Sequence, residues 1–268
     1  MPEGHVLHRL ADELTAGFGG RVVAVSSPQG RFTTEAMMLD GSTLVAARAR
    51  GKHLFIEFTG ERIIHVHLGL IGSMTLGPAR PVVGQVRLRL ATDTLVADLR
   101  GPQGCRLTDP QHEAAMAARL GPDPLDPAAD PALLLARVRT LTKPVGTVLL
   151  DQAVLSGVGN VYRAEVLFRL GIDPLTPAAD LPPATWRAIW DDLVVLMAEG
   201  KRQGRIDTVR PEHTPEAMSR SPRTDDHGGE VYVYRRTDEP CLVCGTPIRR
   251  RDLAGRNLFW CPACQQGH

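Results

Sequence analysis

The sequence predicts a multi-domain α+β chain: one helix leading a β-rich N-terminal domain, then a helical domain ending in a metal-stapled hairpin. Three observations carry this. Short apolar runs separated by glycine-bearing turns fill residues 1–120. A stretch crowded with proline and aspartate follows, and beyond it the apolar residues recur at helical spacing. Near the end, Cys241-x2-Cys244 and Cys261-x2-Cys264 have the spacing of a four-cysteine metal site.

The elements follow in chain order. Pro2 and Glu3 open a helix over His5–Phe18, in which Val6, Leu7, Leu10 and Leu14 mark an apolar face. Strand-like runs are expected at Arg21–Val25, His53–Phe58, Ile63–Leu68, Gln85–Leu90 and Leu95–Leu99. The prolines of Gly121–Pro131 remove donors and fix φ, so this stretch reads as an interdomain linker. Helices are then expected at Ala132–Thr140, Val145–Leu150, Val161–Leu170 and Pro183–Gly200, with a long loop from Arg210 to Gly229. Thr246–Arg251 and Asn257–Trp260 read as two strands around a turn that projects Arg256. The expected domains are thus 1–120, a linker 121–131, a helical domain 132–230 and a zinc hairpin 231–268.

At 268 residues and 43% hydrophobic content, the chain can bury the cores of two ordinary domains. No apolar run is long enough to span a bilayer, so membrane-protein functions are set aside and a soluble intracellular protein is expected. In a reducing compartment, paired cysteines read as metal ligands, and the two pairs predict one structural Zn2+. By spacing alone such a hairpin serves RNA, DNA or protein contacts equally well. The net charge of +1 permits a nucleic-acid partner without arguing for one. Arginine dominates the basic residues, with only Lys52, Lys143 and Lys201 as lysines, and the guanidinium fork suits phosphate.

The N-terminus carries chemistry. If Met1 is removed, Pro2 presents a secondary α-amine. An unperturbed α-amine titrates at about 7.7–8.0, against about 10.4 for lysine, so a useful fraction is neutral at cellular pH. Such an amine can attack an aldehyde-type carbon, C1′ of a sugar being one, to form an iminium, with Glu3 beside it as proton donor. A second signature, Ser156-Gly157-Val158-Gly159-Asn160-Val161-Tyr162, breaks one helix and starts another at Asn160, a terminus suited to phosphate. His65 and His67 share one strand face without a carboxylate at matching spacing and read as structural. His5 and His8 read as ordinary helix surface, and Trp186 and Trp190 as core.

Taken together, the Pro-Glu-Gly start, Gly51-Lys52, the Gly157-to-Tyr162 turn and Gly255-Arg256-Asn257-Leu258-Phe259-Trp260-Cys261 resemble the formamidopyrimidine-DNA glycosylase/endonuclease VIII family, closest to its actinobacterial endonuclease VIII-like branch. The resemblance implies a β-sandwich bearing the N-terminal helix, a helix-two-turn-helix domain and a C-terminal zinc finger. It implies a bacterial, cytoplasmic, monomeric base-excision repair enzyme acting on damaged double-stranded DNA, with single-stranded or bubble DNA as a further substrate. The activity implied is that of a DNA glycosylase and abasic-site lyase proceeding by β,δ-elimination. Pro2 matches the nucleophile, Glu3 the acid/base, Lys52 the catalytic phosphate-contacting lysine, Asn160 the phosphate-binding asparagine and Arg256 the zinc-finger arginine. Leu70 aligns with a residue that fills the space left by a flipped base; read from its neighbours alone, it could equally be a strand-end core residue. A full void-filling set is not evident near Asp98–Gly104, nor a lesion-capping pattern in Gly200–Gly229, so oxidised pyrimidines are the expected lesions. The alternatives are an 8-oxoguanine or formamidopyrimidine glycosylase, a non-catalytic abasic-site binder, and a ribosome- or transcription-associated zinc ribbon.

Overall fold

A computed structural model describes residues 2–224 and 229–266. The chain forms two compact units, Met1–Arg119 and Leu120–His268.

In the first unit, α1 (Gly4–Phe18) precedes β1 (Arg21–Ser26), α2 (Thr33–Leu39), β2 (Ser42–Arg50), β3 (His53–Phe58) and β4 (Arg62–His67). Then come β5 (Ser73–Pro78), β6 (Leu88–Ala91), β7 (Leu95–Arg100), β8 (Gly104–Thr108) and α3 (Pro110–Ala117). The strands are ordered β5-β7-β6-β1-β2-β3-β4-β8 and every pairing is antiparallel. β1 is the corner of the sandwich, because Arg21–Val23 pair with β2 and Ala24–Ser26 pair with β6. The core gathers Leu7, Leu14 and Phe18 from α1 with Leu44, Leu54, Phe58, Leu88 and Leu99 from the strands.

Direction is the feature of this unit that matters most. Gly20 N donates to Leu44 O at 2.8 Å, and Ala47 N donates to Thr15 Oγ1 at 2.8 Å. Moving back along α1 therefore means moving forward along β2. From Thr15 to Glu3 the helix climbs about 18 Å at 1.5 Å per residue. From Ala47 to Lys52 the strand runs about 17 Å at 3.3–3.4 Å per residue. The N-terminus of α1 and the β2–β3 turn thus reach the same end of the sandwich.

The second unit begins with Gly121–Pro131, which is docked and not free. Gly121 to Pro124 are buried, Gly121 N donates to Gln152 O at 2.8 Å, and a Cβ at Gly121 would lie 2.3 Å from the Val154 backbone. Asp123, Asp126 and Asp130 each accept a hydrogen bond from the amide two residues on, replacing the ladder that the prolines prevent. The helices are α4 (Pro131–Val138), α5 (Val145–Val148), α6 (Asn160–Arg169) and α7 (Pro183–Gln203), followed by the hairpin β9 (Arg249–Leu253) and β10 (Arg256–Trp260). Trp186 and Trp190 are core, as their i,i+4 spacing suggests.

The apolar core of this unit encloses two charged groups. All of α6 up to Phe168 is buried, including Arg163 and Glu165 at 0% exposure. Glu165 Oε1 accepts from Val233 N and Tyr234 N, both at 2.9 Å; Oε2 accepts from Tyr232 N at 2.7 Å and Thr208 Oγ1 at 2.6 Å. The segment 232–234 has no strand partner among the described residues, so this carboxylate stands in for a ladder. Because Thr208 N also donates to Glu230 O at 2.8 Å, Glu165 ties Thr208 to the 230–234 segment.

Glu165→Gln tests this role. Either orientation of the amide turns its NH2 toward backbone donors, so the unfolding free energy of the second unit should fall by about 3 kcal/mol. Denaturant titration showing a loss below about 1 kcal/mol would rule out the carboxylate as the organiser of 208–234.

Candidate active site and zinc-stapled nucleic-acid interface

In the first unit, Glu3 is the N-cap of α1, extended at φ −116° and fully buried, with its carbonyl accepting from Val6 N at 3.0 Å. Pro2 lies just outside it and is half-buried, while Met1 lies outside the described residues. Lys52, half-buried, occupies the two-residue turn between β2 and β3, where Gly51 takes φ +56° and Arg50 pairs with His53. Left-handed geometry in so short a turn favours glycine. The fold therefore brings a potential amine nucleophile, a buried carboxyl and a lysine to one end of one unit.

Beside Lys52 stands a column of imidazoles that the sequence indicated only in part. His53 Nδ1 lies 2.9 Å from His65 Nε2, and His67 stacks on His53 with centroids 4.9 Å apart. Arg106 Nε reaches His65 Nδ1 at 3.3 Å, and Arg106 Nη2 reaches His112 Nε2 at 3.0 Å. A guanidinium only donates, so His65 Nδ1 is an acceptor and its Nε2–H points at His53. Burial, reinforced by neighbouring positive groups, pushes His53 down to about 4 and His65 to about 3. The structural reading of His65 and His67 agrees with this packing. His5 differs from the expected helix surface: it is 3% exposed, and burial pushes it down to about 4.

The turn between β4 and β5 carries Leu70 and Ile71, which are 59% and 87% exposed. Leu70 is therefore not core. The turn is tightly specified, since a Cβ at Gly69 (φ +70°) would meet Gln103 at 2.7 Å and one at Gly72 would meet Leu68 O at 2.2 Å. Gln103 N also donates to Leu68 O at 3.3 Å. Its own turn follows β7, where buried Asp98 accepts from Arg89 at 2.7 and 2.9 Å. Two apolar side chains are thus held in water on a supported tip.

In the second unit, Asn160 begins α6, but its side chain turns inward and is not presented at the terminus. It is 7% exposed, and its Nδ2 donates to Asn257 O at 2.9 Å. Arg163, one turn further on, donates to Asn160 Oδ1, to Asn257 O at 2.9 Å and to Gly146 O at 3.1 Å. Because Arg163 can only donate, it fixes which end of the Asn160 amide faces the hairpin. Arg256 adjoins the carbonyl held in this way and is exposed. The Asn160-x-x-Arg163 spacing was the available signal for this network, but an i,i+3 pair on a helix does not reveal that it is buried.

The four cysteines converge. Their sulfurs lie within 4.8 Å of one another, with Cys241 and Cys264 3.9 Å apart and Cys244 and Cys261 3.5 Å apart. Zn–S bonds of about 2.3 Å in a tetrahedron require S···S edges of about 3.8 Å, so the set fits one structural zinc. Cys105 is separate: it sits in β8 opposite Val66, and burial pushes its thiol up to about 12.

Two outcomes follow. Purified protein should carry one zinc per chain, and Cys261→Ser should lose it and expose the 241–264 backbone to hydrogen exchange; metal-free native protein would exclude the site. Acidification should destabilise the first unit. Its buried histidines titrate below the unfolded value of about 6.5, so the unfolded chain takes up protons first. Stability should fall from about pH 6.5 toward pH 4 by a few kcal/mol, after discounting for partial solvent access. The urea midpoint should track that window and be flatter in His65→Gln.

Known proteins align with these features. Residues 1–115 match the formamidopyrimidine-DNA glycosylase N-terminal domain, 120–210 the formamidopyrimidine-DNA glycosylase H2TH domain, and 238–267 the zinc finger found in FPG and IleRS. Endonuclease 8 1 of Mycobacterium tuberculosis is 48% identical over 275 residues, covering 99% of this chain and 100% of the relative. Formamidopyrimidine-DNA glycosylase of Parasynechococcus marenigrum is 40% identical over 281 residues, covering 99% of each. Probable endonuclease 8 2 of Streptomyces coelicolor is 32% identical, covering 100% of this chain and 95% of the relative. The fold is shared with Lactococcus lactis Fpg in complex with abasic-site DNA, at TM-score 0.80 and 22% identity, covering 99% of this chain and 100% of that one. With the sandwich, the helical turn and the four-cysteine finger all matched in order, the chain belongs to the formamidopyrimidine-DNA glycosylase/endonuclease 8 family.

Proposed function

We propose that this protein is a bifunctional DNA glycosylase and abasic-site lyase of base excision repair, with Pro2 as nucleophile once Met1 is removed. The observation that carries the proposal is the convergence of the α1 N-terminus and the Lys52 turn at one end of the first unit. The damaged nucleotide leaves the stack, at a cost lowered where pairing is already weak. The Pro2 nitrogen lone pair forms a bond to C1′ as the base departs and the nitrogen gives up its proton; Glu3 then protonates O4′ as the C1′–O4′ bond breaks, which opens the sugar and leaves N=C1′. The resulting iminium drains electrons from the C2′–H bond. Loss of that proton expels the 3′ phosphate by β-elimination, and a second elimination expels the 5′ phosphate. Water then hydrolyses the iminium and restores the amine. Lys52 holds a phosphate of the lesion strand, and Asn160 and Arg256 supply further backbone contacts, which set register without reading sequence.

Asn160 serves in this scheme through the helix terminus and through the hairpin it grips, since its amide is already committed to Asn257 O. The zinc is structural: when bound, it closes the hairpin that presents Arg256, and no step passes through it. We assign oxidised pyrimidines as the favoured lesions, with Leu70 entering the space vacated by the flipped base; its exposure on a supported tip supports this role. We place the protein in the bacterial cytoplasm, acting as a monomer on damaged duplex DNA. Bacterial relatives, and the absence among the described residues of a helix long and apolar enough to cross a membrane, support that placement.

Borohydride added during reaction with an abasic-site duplex should join protein and DNA covalently at residue 2. Retaining Met1 or adding an N-terminal tag should abolish crosslink and cleavage while leaving DNA binding largely intact. A crosslink mapped to Lys52, or cleavage by blocked protein, would show the nucleophile to be misassigned. Glu3→Gln should slow release of an intact damaged base sharply and cleavage of a preformed abasic site less. On a panel of single-lesion duplexes, thymine glycol or 5-hydroxyuracil should turn over faster than 8-oxoguanine opposite cytosine; the reverse order would favour a formamidopyrimidine-type specificity.

A further inference from the structure

Most arginines of this chain are spent on internal partners. Arg48 binds Glu57 and Glu113, Arg89 binds Asp98, Arg169 binds Asp192, and Arg236 binds Glu239. The first strand of the zinc hairpin breaks this habit. Arg249, Arg250 and Arg251 are consecutive and exposed, and none makes a side-chain hydrogen bond or ion pair with any described residue. Arg21, Arg31, Arg119 and Arg139 are also unpartnered among the described residues, but they lie apart in sequence and on different elements.

The register gives these charges a direction. Arg249 lies opposite Trp260, Arg251 opposite Leu258, and Leu253 opposite Arg256. Side chains directly opposite share a sheet face, and residues two apart along a strand share it too. Arg249, Arg251 and Arg256 therefore belong to one face of the hairpin, Arg249 and Arg251 about 7 Å apart along the strand and Arg251 about 7 Å from the rung that holds Arg256. Arg250 projects from the other face. The backbone beneath them is stiff: Asn257 O is fixed by Asn160 and Arg163, Leu258 and Phe259 are buried, and the strand ends enter the four-cysteine site.

Three adjacent like charges repel one another, and a short two-stranded sheet has little to offset that repulsion. One charged residue is enough to blunt an exposed edge. A row of unpartnered guanidinium forks, aligned with Arg256, instead matches a polyanion whose charges repeat along a line.

We infer that Arg249 and Arg251 continue the contact of Arg256 into a phosphate-binding track, so that the zinc hairpin grips several nucleic-acid backbone phosphates. This deepens the reading of the protein as a DNA glycosylase and rests on it for the identity of the polyanion. The contact is to the backbone, so it is independent of the lesion and of sequence.

The test uses the full-length zinc-loaded protein and a short, undamaged, fluorescently labelled duplex titrated across a salt series. Each neutralised phosphate contributes about 0.9 to the slope of log K against log salt. R249Q/R251Q should therefore lower the magnitude of the slope by about 1.8, with zinc content unchanged. R249K/R251K, which keeps both charges, should restore most of it. Because these side chains are exposed, folding should survive; a zinc assay and a thermal melt on each variant check this. A slope unchanged in R249Q/R251Q but reduced in Arg256→Gln would overturn the track while leaving the DNA-binding reading in place. Failure of the unmodified protein to bind the duplex at low salt would overturn both.

Discussion

The second unit is organised by the buried polar face of α6, where both oxygens of Glu165 and both terminal nitrogens of Arg163 find partners. Charged groups are rarely taken from water unless other groups replace the lost hydration, and here they do. Glu165 is surrounded by three backbone amides and a hydroxyl, and Arg163 by two carbonyls and an amide oxygen. Apart from Asn160 on the same helix and Gly146 of α5, the partners belong to segments that lack regular structure or lie far along the chain. One helix thus carries the hydrogen bonds that a larger sheet would otherwise supply. The consequence for function is positional: the carbonyl next to Arg256 and the start of the 232–234 segment are both referred to the same ten-residue helix.

The first unit solves a different problem by direction alone. The amine proposed as nucleophile would ordinarily be mobile, since termini fray unless tied down. Here the terminus continues into a fifteen-residue helix whose apolar face is sunk into the sandwich, with Glu3 itself buried at its cap. The antiparallel run of α1 against β2 then sets which loop lies beside it. His53 and His65, pushed well below the usual histidine range by burial, pack beside Lys52 without adding formal charge at neutral pH.

Much of this is legible from residue order. The N-terminal helix, the strand His53–Phe58, the long helix from Pro183 and the hairpin turn all stand close to where periodicity and glycine placed them. Strand β2 escapes a reading by pattern because Ala47–Arg50 alternates alanine with arginine and, of Ser42–Arg50, only Leu44 and Ala49 are buried. Helices α2 and α3 escape it because both are short, and Met37 and Met38 of α2 face solvent. Gly121–Pro131 reads as a tether because prolines deny it a ladder, yet its aspartates build local turns and its glycine packs on Val154.

By itself the sequence determined what depends on local chemistry: four thiolates at metal spacing, a proline that can become a secondary amine, a glycine-bearing lysine turn and the alternation from strands to helices. Those properties are carried by neighbours in the chain, so they survive without knowledge of the fold. Tertiary structure alone decided which of them meet. Asn160 turned inward because Asn257, ninety-seven residues away, offers a carbonyl that Arg163 also holds. His5 is core, while Leu70 stands in water on a turn braced by Gln103. Burial and hydrogen-bond partnership are sums over residues distant in sequence, and no window of local pattern contains them.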